Sequence, residues 1–191
     1  RRFNSILKQI NLQSEDTLYV LGDVIDRYPG GIRILRRIMS MPNAEMLLGN
    51  HEYMMLRALG HPYDPYDTTS ELIREDATEL WYHNGGKVTH DFWKHIRKSL
   101  RTEIIQYLQT LPLNIDIEIN GTSYKLVHGA PIDEYMNYPG NPDPTHFAVW
   151  KRWRKYDTFS GNFTMVFGHT PTRHYQDNEP MEIWFGNHCI G

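Results

Sequence analysis

The stretch TLYVLGDVIDR, residues 17–27, decides how this chain folds. Its first five residues form a short apolar run, which is typical of a buried β-strand, and Gly22 then lets the backbone turn. Asp23 follows at once, so its carboxylate stands at a strand tip, held rigidly on one side and open to solvent on the other. The stretch therefore predicts a strand that presents a metal ligand.

Three other stretches repeat this arrangement, namely GNHE at 49–52, HGA at 128–130 and FGHT at 167–170. Each follows a short apolar run and places Asn or His beside glycine. One such stretch alone means little, but four in the same context favour a metal centre built from oxygen and imidazole donors, which suit Mn, Fe or Zn. The candidate ligands are Asp23, Asn50, His128 and His169.

The elements around the first two stretches alternate between strand and helix. Residues 2–11 carry apolar side chains at helical spacing, and the strand at 17–21 follows. A basic amphipathic helix is predicted over 32–40, a second strand over 44–48, and a further helix from His51. This order predicts an α/β fold whose ligands collect beyond the carboxyl ends of the strands.

Residues 61–111 have a different character, because a loop is followed by helical patterns separated by the NGG sequence at 84–86. We expect a helical insertion that packs beside the core. Its helices are predicted over 70–80, 87–97 and 99–110.

Strand patterns return in the last part of the chain. Asn120-Gly121 predicts a tight hairpin of type I′ between two of these strands. The predicted elements are strands over 113–119, 122–127, 164–167 and 182–185, a further strand beginning at 189, and a helix over 149–156.

Composition excludes several classes of protein. The formal net charge of the 191 residues is −3, with basic and acidic side chains interleaved, which does not favour nucleic acid as the main partner. No apolar run approaches the ~20 residues of a membrane helix, and no signal-peptide pattern is present. The lone Cys189 cannot form a disulfide within the chain, which favours a cytoplasmic protein.

The four stretches, in this order and at these spacings, resemble the metallophosphoesterase (calcineurin-like) superfamily. Within it, the chain is most similar to phosphoprotein phosphatases of the bacterial serine/threonine type, the branch that includes bacteriophage lambda phosphatase. The resemblance runs along the whole chain and is strongest at the four stretches and at NGG. It implies a metallophosphatase-like sandwich of two mixed β-sheets flanked by helices, with the insertion at 61–111, in one domain over 1–191.

The resemblance also assigns metal ligands. It makes Asp23 the carboxylate that bridges two divalent ions, and the other three candidates would complete the ligands of the second ion. The first motif of the family, of the form GDxHG, is absent, because the chain begins at Arg1-Arg2-Phe3. We therefore expect the first metal site to be incomplete in this chain and both ends to be clipped.

Catalytic roles follow from the same resemblance. His51 would be the general acid, and Asp26 would orient its imidazole, because a carboxylate partner favours the protonated ring. Arg27 would bind the substrate phosphate through its planar guanidinium. A second phosphate-binding arginine is expected after a tryptophan, which makes Arg152 the first candidate and Arg154 the second.

The implied reaction is direct hydrolysis by a hydroxide that bridges the two metal ions and attacks phosphorus in line. No Ser or Cys nucleophile is needed, so Cys189 should be dispensable. Glu52 is expected to brace the helix after His51 and not to bind metal.

The favoured substrates are phosphoserine and phosphothreonine of proteins. One alternative is a nucleotide or dinucleoside-polyphosphate hydrolase of the same superfamily, because the aromatic segment at 131–156 offers rings for stacking on a base. A second alternative is a catalytically impaired phosphate-binding protein, which the missing first motif suggests. The intact His51, Asp26 and Arg27 argue against it, since a mere binder needs no general acid.

Overall fold

The computed structural model describes residues 2–63, 71–176 and 182–191, with side chains from residue 76 onward in the second range. It is an α/β fold with two β-sheets and flanking helices, as predicted. The helices are α1 (Arg2–Gln9), α2 (Gly31–Met39), α3 (Asn50–Ala58), α4 (Glu71–His83), α5 (Lys87–Trp93), α6 (Lys98–Thr110) and α7 (Pro144–Trp150). The strands are β1 (Leu18–Val20), β2 (Ala44–Met46), β3 (Asn114–Ile119), β4 (Thr122–Val127), β5 (Thr164–Phe167), β6 (Phe185–Gly186) and β7 (Cys189–Ile190).

The two sheets differ in size and direction. Strands β1 and β2 form a parallel pair. The other sheet has the order β3-β4-β5-β7-β6 and is mixed, with β4, β5 and β7 parallel to one another and a hairpin at each edge. Only the larger of the two sheets in the described residues is mixed, whereas the sequence predicts that both are.

Apolar side chains form two cores. One lies among helices α2, α3, α4 and α6 and includes the fully buried Leu35, Met55, Trp81, Ile104 and Leu108. The other lies against the larger sheet. The predicted helical insertion therefore contributes to the same core as the helices that follow β1 and β2. The part of its predicted loop and helix at 64–70 lies outside the described residues.

The predicted helix over 149–156 is wrong. Helix α7 begins earlier, because the carboxylate of Asp143 accepts the backbone N–H of His146 and Pro144 occupies the first turn. It ends at Trp150, and the backbone of Lys151 is extended. The capping residues Asp143 and Pro144 thus set where the helix begins.

The strand predicted over 182–185 is displaced toward the C-terminus. Strand β6 covers only Phe185–Gly186 and pairs with β7 across a two-residue turn, in which His188 has a φ of 55°. The predicted hairpin between β3 and β4 is confirmed, since Asn120 and Gly121 both have positive φ, as a type I′ turn requires. Among the described helices, none combines the length and the apolar character that crossing a membrane requires.

Candidate metal centre

Two parallel strand pairs bring the candidate ligands to one edge of the fold. Strands β1 and β2 are in register, so the segments after them lie side by side, and Gly22 and Gly49 meet there. A Cβ on Gly22 would lie 2.6 Å from the Cα of Gly49, and one on Gly49 would lie 2.4 Å from the backbone nitrogen of Asp23. Close backbone approach thus requires glycine before Asp23 and before Asn50.

Strands β4 and β5 deliver the two histidines in the same way. Val127 pairs with Phe167, and the N–H of Gly168 donates to the carbonyl of His128 at 3.0 Å. The rings of His128 and His169 consequently lie 5.1 Å apart, measured between centroids. Parallel neighbours end at the same edge, which is why residues so far apart in sequence become neighbours.

The four candidate ligands converge on one point. The Oδ1 atom of Asn50 lies 3.1 Å from Nε2 of His128 and 2.9 Å from Nδ1 of His169. The carboxylate of Asp23 is 3.4 Å from Nε2 of His128. Ligand atoms of Asp23, His128 and His169 all lie within 4.8 Å of one another. Among the described residues this is the only such group of three or more His, Cys, Asp or Glu side chains.

The protonation of these groups tests whether a metal fits. Nδ1 of His128 donates to the carbonyl of Leu21 at 2.5 Å, which leaves a lone pair on Nε2. Burial lowers the pKa of His128, and burial together with the charge of His128 lowers the pKa of His169 to about 4. Both rings are neutral near pH 7 and available as ligands.

The amide of Asn50 completes the test. Its Oδ1 faces lone pairs of both histidines, so acceptor atoms face one another. Either the amide turns and its nitrogen donates to the two rings, or a cation lies between the three acceptors. Carboxylate, amide oxygen and imidazole are donors that suit Mn, Fe or Zn. The residues present therefore fit one divalent ion. The sharing of Asp23 with a second ion stays a prediction.

Glu52 holds the loop that carries Asp23. Its buried carboxylate accepts the backbone N–H groups of Asp23 at 2.9 Å, Val24 at 2.8 Å, Ile25 at 3.3 Å and Gly49 at 3.2 Å. Burial and the charge of Asp23 raise the pKa of Glu52 against the effect of these donors. Its role is that of a brace, as predicted, and it braces the loop as much as the helix.

His51 and Asp26 form a buried pair. Nδ1 of His51 lies 2.7 Å from the Asp26 carboxylate, and the two residues are 2% and 5% exposed. Burial lowers the pKa of His51, but the hydrogen bond and the charges of Asp23 and Asp26 outweigh it and raise the pKa above the ordinary value. The structure thus brings together the two residues that the sequence pairs.

Two supports of Asp26 were not predicted from the sequence. The indole N–H of Trp81 donates to the same carboxylate oxygen at 2.8 Å, and the backbone N–H of Asp26 donates to the hydroxyl of Thr89 at 3.0 Å. Trp81 lies on α4, before the NGG sequence, and Thr89 lies on α5, after it. The sequence signal for these supports was the NGG sequence, whose Gly86 packs directly on Trp81. A Cβ on Gly86 would lie 2.3 Å from the Trp81 ring.

Arg27 lies beside His51. Its guanidinium donates to Nε2 of His51 at 2.9 Å, and its backbone N–H donates to the carbonyl of Gly85 at 3.1 Å. Asp23, Asp26, Arg27 and His169 all have left-handed backbone, with φ between 57° and 72°. Such conformations cost free energy for residues other than glycine and cluster at functional sites.

A cavity of about 680 Å³ opens between Arg27 and the segment after α7. His169 lies in its wall, so the cavity adjoins the metal ligands. The sequence candidates Arg27 and Arg152 are both there, and so is the second candidate, Arg154. Its cationic lining is Arg27, Arg152, Arg154, Lys155 and Arg173.

Comparisons with known proteins agree with this geometry. A sequence profile described as calcineurin-like phosphoesterase matches residues 1–190. A protein of Acidovorax ebreus, named symmetrical bis(5'-nucleosyl)-tetraphosphatase, is 41% identical over 176 residues, which cover 88% of this chain and 52% of the relative. A protein of the same name from Chromohalobacter salexigens is 31% identical and covers 94% of this chain and 57% of the relative.

A third protein of that name, from Legionella pneumophila, is 36% identical over 73 residues, or 36% of this chain and 26% of the relative. The chain thus spans about half the length of the two relatives that it matches along most of its own length. The three relatives carry the same name, which describes one activity.

Proposed function

The chain belongs to the calcineurin-like phosphoesterase family, and from this premise we propose that it forms the catalytic part of a metal-dependent hydrolase of dinucleoside polyphosphates. This is the first alternative considered from the sequence, and it replaces the serine/threonine phosphatase as the favoured function. The names of the relatives favour it. We also propose that the protein is cytoplasmic.

The cationic cavity is the observation that carries this choice. Among the described residues, five basic side chains and no carboxylate line it, and none of the five is paired with a carboxylate of those residues. A phosphoserine brings one phosphate to such a surface, whereas a polyphosphate chain brings several. The surplus of positive charge beside His169 therefore suits a substrate with phosphates on both sides of the bond that breaks.

The residues of the site suggest their tasks. Asp23, Asn50, His128 and His169 would hold a divalent ion, which when bound supplies Lewis-acid stabilisation of phosphoryl charge and lowers the pKa of water. Arg27 and Arg152 would orient the reacting phosphate. His51, oriented by Asp26, would give a proton from Nε2 to the leaving oxygen.

The contact between Arg27 and His51 places a condition on that transfer. While the guanidinium donates to Nε2, that atom carries no proton to give. A substrate phosphate that draws Arg27 toward itself would free Nε2 for protonation. The general acid would thus become available when substrate is bound.

The test is turnover of two substrates by the full-length protein loaded with Mn²⁺. We expect kcat/KM for diadenosine tetraphosphate to exceed that for a phosphothreonine peptide at least tenfold. The reverse preference would favour the phosphatase. No turnover of either, with at most one ion bound per chain, would favour the impaired binding protein.

Variants of the cavity sharpen this test. Arg173→Ala removes one charge that lies outside the candidate catalytic residues, and it should lower kcat/KM for diadenosine tetraphosphate about tenfold, the effect of one charge-assisted hydrogen bond. Turnover of p-nitrophenyl phosphate should stay unchanged. The matched control is Arg36→Ala, an exposed arginine on α2, which should leave both activities unchanged.

A further inference from the structure

A second cavity, of about 300 Å³, lies between helices α3, α4 and α7. This volume is at the lower end of the range for pockets that bind small ligands. Most of its wall is aromatic or aliphatic. We call it the aromatic pocket; its principal lining residues are Tyr53, Met54, Leu80, Pro142, His146 and Trp150.

Two nearly parallel rings of helix α7 line the aromatic pocket. His146 and Trp150 are four residues apart, so they lie on the same face of the helix. Their rings are inclined by 22°, with centroids 5.9 Å apart. A flat aromatic ligand can stack on such nearly parallel faces and contacts them over more area than a branched aliphatic group does.

Polar atoms at the pocket are the second observation. The basic residue Arg57 lines the pocket. Burial lowers the pKa of His146, so the ring is neutral near pH 7. The carboxylate of Asp76 also lines the pocket. An aliphatic occupant would cover the carboxylate of Asp76 without giving it a hydrogen-bond partner, whereas an amine donor would pair with it.

The aromatic pocket adjoins the metal centre through Trp150. The ring of Trp150 stands edge-on to His169, with centroids 6.1 Å apart and planes at 82°. One tryptophan therefore separates the pocket from a candidate metal ligand. One ligand with a short linker can therefore place one group in the aromatic pocket and a phosphate at the metal centre.

We propose that the aromatic pocket binds a nucleobase with an exocyclic amine, which stacks against His146 and Trp150 and donates its amine to the carboxylate of Asp76. This inference rests on the proposed function, because it places one nucleoside of the dinucleoside substrate. The ribose and phosphates lead from the pocket past Trp150 to the metal centre.

The test compares two ligands that differ in the nucleoside. Dissociation constants of adenosine diphosphate and inorganic pyrophosphate are measured by calorimetry on the full-length, Mn²⁺-loaded protein. We expect the wild type to bind adenosine diphosphate about tenfold more tightly, the size of one base–aromatic contact. His146→Ala should remove most of this preference and leave the affinity for pyrophosphate unchanged.

Two further variants test whether the effect is specific to the aromatic pocket. His95→Ala removes an exposed histidine of the helical region and should change neither affinity. Leu80→Ala trims a wall residue that is 47% exposed, so folding should tolerate it, and it should weaken adenosine diphosphate binding about threefold. The melting temperature and the metal content of each variant are measured beside the affinities.

The inference is overturned if the wild type binds both ligands equally, or if His146→Ala and Leu80→Ala leave the preference intact. Failure of the proposed function gives a different result, namely faster hydrolysis of the phosphothreonine peptide. Because the binding test does not depend on turnover, each conclusion can fail alone.

Discussion

Replacement of Glu52 by Gln tests how the metal ligand Asp23 is held in place. Each carboxylate oxygen of Glu52 accepts two backbone N–H groups, those of Val24 and Ile25 on Oε1 and those of Asp23 and Gly49 on Oε2. Glutamine keeps one oxygen and replaces the other with an NH₂ donor. Two N–H groups would then face a donor in a fully buried position.

The loss of stability follows from these contacts. Burial and the charge of Asp23 raise the pKa of Glu52 to about 7, so the comparison is made well above that pH, where the carboxylate is ionised. A hydrogen bond to a charged group contributes about 1.5–3 kcal/mol, and two such bonds are lost, while burial of a neutral amide costs less than burial of a carboxylate. We expect the free energy of unfolding to fall by about 3 kcal/mol. For a domain of this size that corresponds to a fall in melting temperature of roughly 6–12 °C.

Metal affinity should fall as well. Asp23 has a φ of 57°, a conformation that costs of order 1–3 kcal/mol and that the Glu52 carboxylate helps to hold. A released loop would relax and carry the Asp23 carboxylate away from His128. Loss of a group that orients a ligand typically lowers metal affinity by roughly 10–100-fold.

Denaturant unfolding with EDTA present gives the stability without metal, and calorimetric titration with Mn²⁺ gives the affinity. Glu45→Gln is the matched control, because Glu45 is exposed on β2 and the substitution should change stability by less than about 0.5 kcal/mol. If Glu52→Gln matched this control in both measurements, the bracing role would be refuted.

Four further outcomes are expected. His51→Asn should lower turnover of poorly activated esters by roughly 10²–10⁴-fold while the metal content, read by atomic absorption, stays unchanged; loss of metal would contradict its role as acid. Trp81→Phe, which removes a hydrogen bond to Asp26, should lower kcat more than it raises KM in steady-state assays, and an effect on KM alone would contradict a positioning role. Gly86→Ala should destabilise the chain by about 1–3 kcal/mol in thermal unfolding, since its Cβ would meet the Trp81 ring. Burial raises the pKa of the Cys189 thiol to about 11, so iodoacetamide at pH 8 should label the native chain far more slowly than the unfolded one, and Cys189→Ala should retain full activity.

The candidate ligands could be predicted from sequence because each follows its strand directly. A short apolar run, a glycine and a polar residue are local signals, and the parallel register of β4 and β5 turns local position into spatial proximity. The supports of Asp26 could not be predicted in this way. Trp81 and Thr89 reach it from helices that follow 55 and 63 residues later, and nothing in their immediate sequence indicates that they face a carboxylate.

The error at helix α7 has a different cause. Asp143-Pro144 is a sequence signal for a helix start, and the prediction of a helix over 149–156 did not use it. The correction matters for function. Because the helix ends at Trp150, the chain leaves it in an extended form, and Arg152 lies in the cationic cavity that His169 also lines.

The helical region after β2 is more than a cover for the core, because it completes the pair that would move the proton. Trp81 and Thr89 fix Asp26 through its side chain and its backbone, and Gly85 accepts the N–H of Arg27. Asp26 and Arg27 both have left-handed backbone, which costs free energy. These contacts offset that cost at the partner of the candidate acid and at the candidate phosphate-binding arginine. Without this region, the loop would lose the contacts that hold both residues in that conformation, and His51 would lose its oriented partner. The candidate metal ligands contact one another in the segments after the strands, whereas the candidate proton donor depends on contacts that come from these helices.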